Sequence, residues 1–326
     1  MSKLVTIYGG SGFVGRYVAR RMAKAGWRVR VAVRRPNEAL FVRTYGVVGQ
    51  VEPVLCNIRD DASVASVMQG ADAVVNCVGV LAEIGKNTFE AVQADGPERI
   101  ARLAKAAGIT RMVHVSAIGA DIDGVSAYSR TKAIGEAAVL KHQPDAMIVR
   151  PSIVFGPEDE FFNRFAGMTR MGPILPVVGA NTRFQPVYVD DVAQAVVMGV
   201  TGQVRGVYEL GGPVAMTFRE LMTLMLDVIR RRRLVLNIPF FAARMMAFGF
   251  DMMQKVTLGL VKSMVTRDQV KNLRVDNVVA DTAQGFAALG IEPVAMVSVL
   301  PEYLWRFRPS GEFSAIKESA KNLRPH

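Results

Sequence analysis

The 326-residue chain holds little that could staple or metallate it: two cysteines, three histidines and two tryptophans. Cys56 and Cys77 each lie in an apolar, strand-like run, so they are expected as buried reduced thiols rather than a disulfide framework. His114, His142 and His326 are scattered without ligand spacing, so no metal site is expected, and His114 reads as a core residue of a strand. No uncharged apolar run approaches the roughly 18 to 20 residues of a membrane span, which argues against a helical crossing. The first strand-like run begins at Lys3, and no signal peptide is expected. Internal repeats and low-complexity tracts are missing too. Half of the residues are hydrophobic, enough to bury a sizeable core.

Acidic residues are also in short supply, leaving a formal charge of +11. Most of the excess falls in one stretch: from Arg230 to Arg274 there are ten basic residues against Asp251 and Asp268. Methionine and phenylalanine are interleaved with these charges. That mix suits an anionic membrane surface or a large partner, and it argues against nucleic acid, which calls for stacking aromatics along a polar groove.

The first half alternates short apolar runs (Leu4–Tyr8, Val29–Val33, Val51–Leu55, Ala73–Val78, Met112–Ser116, Met147–Val149) with helical patterns. This rhythm predicts an α/β fold, a doubly wound parallel sheet of Rossmann type. Val14, Val18 and Met22 give one helix a buried stripe that Gly26 ends, and Asp95-Gly96-Pro97 opens another that Gly108 closes. Beyond Pro151, frequent Pro and Gly predict loops covering a ligand site rather than a new sheet, and Pro186–Val189 before Asp190-Asp191 reads as a strand leading into an acid-capped helix. The expected organisation is a nucleotide-binding domain over residues 1–225, with lobe segments interleaved from about 151. A smaller, mostly helical C-terminal lobe over 226–308 and a polar tail over 309–326 follow.

Gly9-Gly10-Ser11-Gly12-Phe13-Val14-Gly15 meets both the GxGxxG and the GxxGxxG spacing, directly after a strand and before a helix. Glycines there allow a tight turn and close approach of backbone to a pyrophosphate, while the helix N-terminus offers free N–H groups and positive dipole. About 20 residues on, where an acidic residue would hold a ribose 2′-hydroxyl, stand Arg34 and Arg35. A guanidinium pairs with a 2′-phosphate, so the expected cofactor is NADP(H). Tyr128 and Lys132 lie four apart on one helix face, where the ammonium can hold a nicotinamide ribose and lower the phenol's pKa.

The Gly-rich turn, the Tyr128 to Lys132 spacing and the Arg150-Pro151 step resemble extended or atypical short-chain dehydrogenase/reductases over most of residues 1–225. More specific is the order of RPSIVFGPEDEFFN (Arg150–Asn163), MGP from Met171, QPVYVD (Gln185–Asp190), TRDQV (Thr266–Val270) and YLW (Tyr303–Trp305). Over nearly the whole chain these segments are similar to the family of NADPH-binding accessory subunits of respiratory complex I, the NADH:ubiquinone oxidoreductase, in a bacterial form. The resemblance implies a nucleotide held structurally, without turnover. It implies contacts from Asn57, Ile58, Val78, Gly79, Ser116, Pro151 and Ile153 beside the Gly-rich turn, Tyr128 and Lys132. It further implies other complex I subunits as partners and a peripheral place on the cytoplasmic face of the bacterial inner membrane.

One departure bears on catalysis. Catalytic relatives carry a second hydroxyl about two residues past the first serine at the end of the fifth strand, whereas Ser116 is followed by Ala117 and Ile118. Ile118 cannot donate a hydrogen bond, so Ser116, Tyr128 and Lys132 are expected as vestigial. Between Pro239 and Thr266, Arg244, Asp251, Lys255 and Lys262 fall within about 20° of one line on a helix, surrounded by apolar residues. This segment fits a core helix that snorkels its charges, or an amphipathic element on anionic lipid or a partner over residues 230–267. Three functions stay open: an accessory subunit, a stand-alone NADP-dependent reductase or epimerase, and a nucleotide-sensing assembly factor.

Overall fold

The central strands of the main sheet are buried on both faces, which explains why their runs are continuously apolar rather than alternating. The computed structural model describes residues 2–245, 248, 266–309 and 311. Its main sheet contains β1 (Leu4–Tyr8), β2 (Arg28–Val33), β3 (Val51–Leu55), β4 (Ala73–Asn76), β5 (Arg111–Val115) and β6 (Met147–Pro151). The smaller strands are β7 (Val154–Phe155), β8 (Ile174–Val178), β9 (Arg183–Phe184) and β10 (Val187–Tyr188). They are followed by β11 (Gly206–Leu210), β12 (Met216–Thr217) and β13 (Leu234–Ile238).

Seven parallel strands run in the order β11-β6-β5-β4-β1-β2-β3. Ile7 of β1 sits opposite Val31 on one side and Val75 on the other. The chain thus leaves β1 in both directions, and the crevice at its carboxyl end is the topological switch point where such sheets hold ligands. The doubly wound α/β fold expected from the sequence is present.

Helices α1 (Phe13–Lys24), α2 (Asp61–Met68), α3 (Asp95–Ala106) and α4 (Ala127–His142) connect the first strands. Later come α5 (Phe162–Met168), α6 (Val189–Thr201), α7 (Phe218–Val228), α8 (Arg267–Asn272) and α9 (Met296–Leu304). Helices α1 and α6 pack together over Ile7, Val31, Val75 and Val149. Helices α2, α3 and α4 cover the other face over Tyr8, Val74, Met112 and Ile148. Gly26 and Gly108 follow the ends of α1 and α3 at φ +81° and +71°, as the sequence led us to expect. A π-helical turn over Glu90–Ala94 precedes α3.

The second core belongs to the lobe and is unusually aromatic: Phe161, Phe162, Phe165, Phe184 and Phe218 meet at centroid separations of 5.0 to 6.4 Å. Here the expectation of loops alone after Pro151 needs correction. That stretch supplies β7, which pairs with β10, and β8, which pairs in parallel with β13. β11 was missed because Gly206-Val-Tyr-Glu-Leu210 is short and holds a charge, yet it closes the sheet beside β6. Asp190 and Asp191 sit in the first turn of α6 but do not cap it: Asp190 pairs with Arg21 at 2.7 Å, and Asp191 accepts the Val294 N–H. The amphipathic reading of 239–266 and the polar-tail reading of 309–326 lie largely outside the described residues.

An ion network joins β6, α4 and β11. Arg150 donates to both oxygens of Glu136, the closest at 2.6 Å, and stands 3.4 Å from Glu209. The side chains of Glu136 and Glu209 are only 6% and 13% exposed, so neither carboxylate can fall back on water. Removing one partner of such a set leaves buried charge uncompensated. Arg150→Met should therefore lower the unfolding free energy by about 3 to 5 kcal/mol in urea melts; a loss below about 1 kcal/mol would show that the network contributes nothing beyond packing.

Candidate functional site

The turn after β1 is built by backbone contacts that only glycine permits. Gly9 has φ +74° and its N–H bonds Ala32 O at 3.0 Å, while the Gly12 N–H returns to Gly9 O at 2.9 Å. A β-carbon on Gly15 would collide with the Gly9 carbonyl oxygen and come within 2.7 Å of Gly10 Cα, so α1 passes directly over the turn. Gly12 is the N-cap of α1 and no side chain caps that helix. Ser11, Phe13 and Val14 therefore lie where the first-turn N–H groups and the positive end of the dipole point out of the sheet. The end of β4 borders this turn: the Gly9 α-carbon faces Val78 and the Cys77 carbonyl carbon, each about 3.1 to 3.2 Å from where a β-carbon would stand.

Arg34 and Arg35 follow β2 and are both exposed. They are not equivalent. Arg35 pairs with Glu38 at 3.0 Å, while Arg16 donates to Ser11 O at 3.1 Å and stacks over the Phe41 ring at 5.0 Å. Arg16 is thus the guanidinium held against the Gly-rich turn, where it also pairs with Glu158 at 3.5 Å. The Arg35 to Glu38 spacing of three could have been read from the sequence and was not.

Ile58 packs against Gly96 at the start of α3, and Asn57 accepts the Arg59 N–H at 3.2 Å. Gly79 lies beside Lys132, whose Nζ is 3.5 Å from a glycine β-carbon position. Pro151 O receives the Ile118 N–H at 3.0 Å, which holds β6 against the loop after β5, and Ile153 O receives that of Val187 at 2.9 Å, which holds the extension of β6 against β10.

Ser116, Tyr128 and Lys132 converge at the carboxyl end of β5. Ser116 is buried and its Oγ has no hydrogen-bond partner among the described residues. Lys132 is 5% exposed, donates weakly to Val115 O at 3.4 Å, and lies 6.0 Å from the Tyr128 ring centre. Desolvation lowers its pKa to about 8, against the opposing pull of Glu136. The phenol departs from the sequence expectation: burial pushes Tyr128 up to about 12, and its ring packs edge-on against Phe89 at 5.9 Å. Ile118 is buried and supplies only backbone contacts. His114 is a core residue as expected, held near 3 by desolvation and bonded through Nδ1 to the Asn76 amide at 3.1 Å.

Two residues near the site were not anticipated. Asp268 accepts the Ala127 and Tyr128 N–H groups at 2.9 and 3.1 Å, satisfying the first turn of α4 from the far lobe. Gln269, in the same short helix, donates to Leu81 O at 3.2 Å in the loop after β4. The Thr266 to Gln269 capping box is a readable signal for α8, but no local pattern says where α8 docks. A separate cavity of about 880 Å³ lies past the end of β11, lined by Gln185, Gly211, Ala280 and Phe286, away from the Gly-rich turn. No group of three or more potential metal ligands occurs among the described residues.

Residues 5–211 match the NAD dependent epimerase/dehydratase family. The chain is 35% identical over 316 residues to the mitochondrial NADH dehydrogenase (ubiquinone) 1 alpha subcomplex subunit 9 of Arabidopsis thaliana, covering 94% of this chain and 79% of that protein. It is 30% identical to the same subunit of Mus musculus, covering 98% and 84%. Among solved structures, a dTDP-glucose 4,6-dehydratase of Streptomyces venezuelae superposes with a TM-score of 0.70 at 20% identity, covering 96% of this chain and 99% of that one. The chain therefore belongs to the NAD dependent epimerase/dehydratase family and, within it, to the family of these subunit 9 proteins.

The depressed pKa of Lys132 has a measurable consequence. Between about 8 in the folded chain and 10.5 for a free lysine, the unfolded chain binds more protons, so stability rises with pH across that window. Below about 8 the full cost of burying the charge is present. Nucleotide-free Lys132→Met should thus melt above the wild type at pH 7, with the gap closing as pH climbs from about 8 to 10.5; a gap unchanged with pH would mean that the folded lysine titrates as in water.

Proposed function

We propose that this family member is an accessory subunit of respiratory complex I that retains NADP(H) as a structural group and does not turn it over. The assignment to the complex is supported by similarity that runs along nearly the whole chain rather than along the nucleotide-binding half alone. We place the protein at the cytoplasmic face of a bacterial inner membrane, in contact with other subunits and, through residues 230–267, with anionic lipid. No helix among the described residues is long and apolar enough to cross a membrane.

The residues fit a dinucleotide. Gly9, Gly10, Gly12 and Gly15 place no β-carbon at four positions of the turn, so the backbone there can approach a ligand closely, and the uncapped N-terminus of α1 can receive a pyrophosphate. Arg34 is the guanidinium for a 2′-phosphate, because Arg35 is engaged by Glu38. Asn57 and Ile58 border the adenine side, and Val78, Gly79, Pro151 and Ile153 the remainder of the crevice. Lys132 has donors to spare for the nicotinamide ribose, and the unpartnered Ser116 Oγ offers a hydrogen bond beside it. When bound, the nicotinamide could supply or accept a hydride.

The observation that carries the non-catalytic reading is Ile118: a buried aliphatic side chain stands where a carbonyl substrate would need a second hydroxyl donor. Tyr128 reinforces it, since a phenol held near 12 gives up its proton poorly. The stand-alone reductase remains the second reading because Tyr128 and Lys132 still share one helix face and one cleft.

In mild detergent the chain should co-migrate with NADH:ubiquinone oxidoreductase activity and carry about one NADP(H) per chain, inert toward carbonyls and quinones. Stoichiometric oxidation of the bound nucleotide, lost in Tyr128→Phe, would establish the reductase instead, and absence from the complex would favour the assembly factor. Arg34→Glu should shift the preference toward NAD(H) by roughly 10- to 100-fold, the worth of one charge-assisted contact, measured by competitive nucleotide exchange; unchanged selectivity would move the 2′-phosphate site elsewhere.

A further inference from the structure

Three arginines meet at one edge of the lobe with no carboxylate paired to them among the described residues. Arg170 donates to Arg306 O at 2.6 Å, Arg231 to Phe307 O at 2.8 Å and Arg233 to Thr169 O at 2.9 Å. Each guanidinium is oriented by a main-chain carbonyl and keeps donors in reserve. None of the three forms an ion pair with a carboxylate among the described residues. Their mutual repulsion is felt: after desolvation, Arg233 and Arg170 are what pull Arg231 below the usual arginine range.

An apolar face begins where this cluster ends. β8 and β13 form a two-stranded parallel sheet in which Ile174 is opposite Leu234 and Pro176 is opposite Leu236. Alternation sends Leu175 and Val177 into the lobe core, while Ile174, Leu234 and Leu236 stay 46 to 64% exposed. Met171, directly after Arg170, is 75% exposed. Chain order alone thus sets a guanidinium beside an outward-facing apolar residue twice, at Arg170-Met171 and at Arg233-Leu234.

We propose that this edge is a phospholipid site: Arg170, Arg231 and Arg233 take the phosphodiester of an anionic headgroup, and the acyl chains lie on the outer face of the β8–β13 sheet. The proposal rests on the lipid contact argued above for residues 230–267 and deepens it: within that range it assigns the headgroup to Arg231 and Arg233, and it adds Arg170 and the outer face of β8 from a distant part of the chain. Charge selects the occupant. Residues 249–265 carry Asp251 against Lys255 and Lys262, and residues 312–326 carry Glu312 and Glu318 against Lys317, Lys321 and Arg324. Each segment carries more positive than negative charge, so neither complements three guanidiniums that have no carboxylate partner among the described residues, nor does a second copy of a chain with formal charge +11. An anionic bilayer supplies both the charge and the hydrocarbon.

The test is flotation of the full chain with vesicles of phosphatidylcholine alone or with one quarter phosphatidylglycerol. The wild type should float only with the anionic vesicles. Leu234→Ser/Leu236→Ser and Arg231→Gln/Arg233→Gln should each weaken that binding about 10- to 30-fold, the loss expected when two membrane-facing groups leave the interface. The leucine pair is exposed, so that variant should keep wild-type melting and nucleotide content and serves as the control for folding. Binding by it at wild-type strength overturns the site while leaving the complex I reading standing. So does normal flotation combined with loss from the complex, which would make the face a protein contact. A wild type that floats with neither vesicle, yet co-migrates with the complex, removes the lipid and spares the subunit.

Discussion

Helix α1 can cross the turn after β1 only because residue 15 lacks a β-carbon, and much of the molecule follows from that contact. Bringing Gly15 onto the Gly9 carbonyl aims the uncapped start of α1 into the crevice between β1 and β4. It also sets α1 close enough to the sheet for Val18, Ala19 and Met22 to be fully buried, and for α6 to pack alongside. One methyl group would part helix from strand and disturb the Gly-rich turn and the core together. The fold and the site are therefore not separable properties of this end of the chain.

At the other end of the cleft, the same side chains work for stability and against it. Among the described residues Lys132 is buried with one long hydrogen bond and Ser116 Oγ has none, so each is an unfavourable term in the bare protein. Arg150, also buried in part, is fully engaged by two carboxylates and holds α4 to the sheet. A ligand that satisfies Lys132 and Ser116 would convert a local weakness into cohesion, which is the physical sense of a structural nucleotide.

What could be read from the sequence was what depends on near neighbours. The Gly-rich turn was legible because its requirement for bare backbone is met within seven residues, and Tyr128 with Lys132 because four residues make one helical turn. The strands of the sheet were legible while they stayed apolar. β11 was not, because Glu209 interrupts it and its acceptability depends on Arg150, 59 residues away. The β8–β13 pair was missed because Pro173 and Pro176 look like loop punctuation until a second strand is present to accept them. The elevated pKa of Tyr128 could not be foreseen either, since it arises from burial under Phe89 rather than from the neighbouring ammonium.

Asp268 reaches across 140 residues to hold the N–H of Tyr128, and α8 hangs from it like a latch on a door frame. The latch has no preferred direction. Whatever free energy seats α8 against α4 is shared by every equilibrium that needs the first turn of α4 in place, and thermodynamic reciprocity returns the same amount to α8. Whatever loosens the seat of α8 therefore loosens the turn that carries Tyr128, and whatever holds that turn in place holds α8 in equal measure.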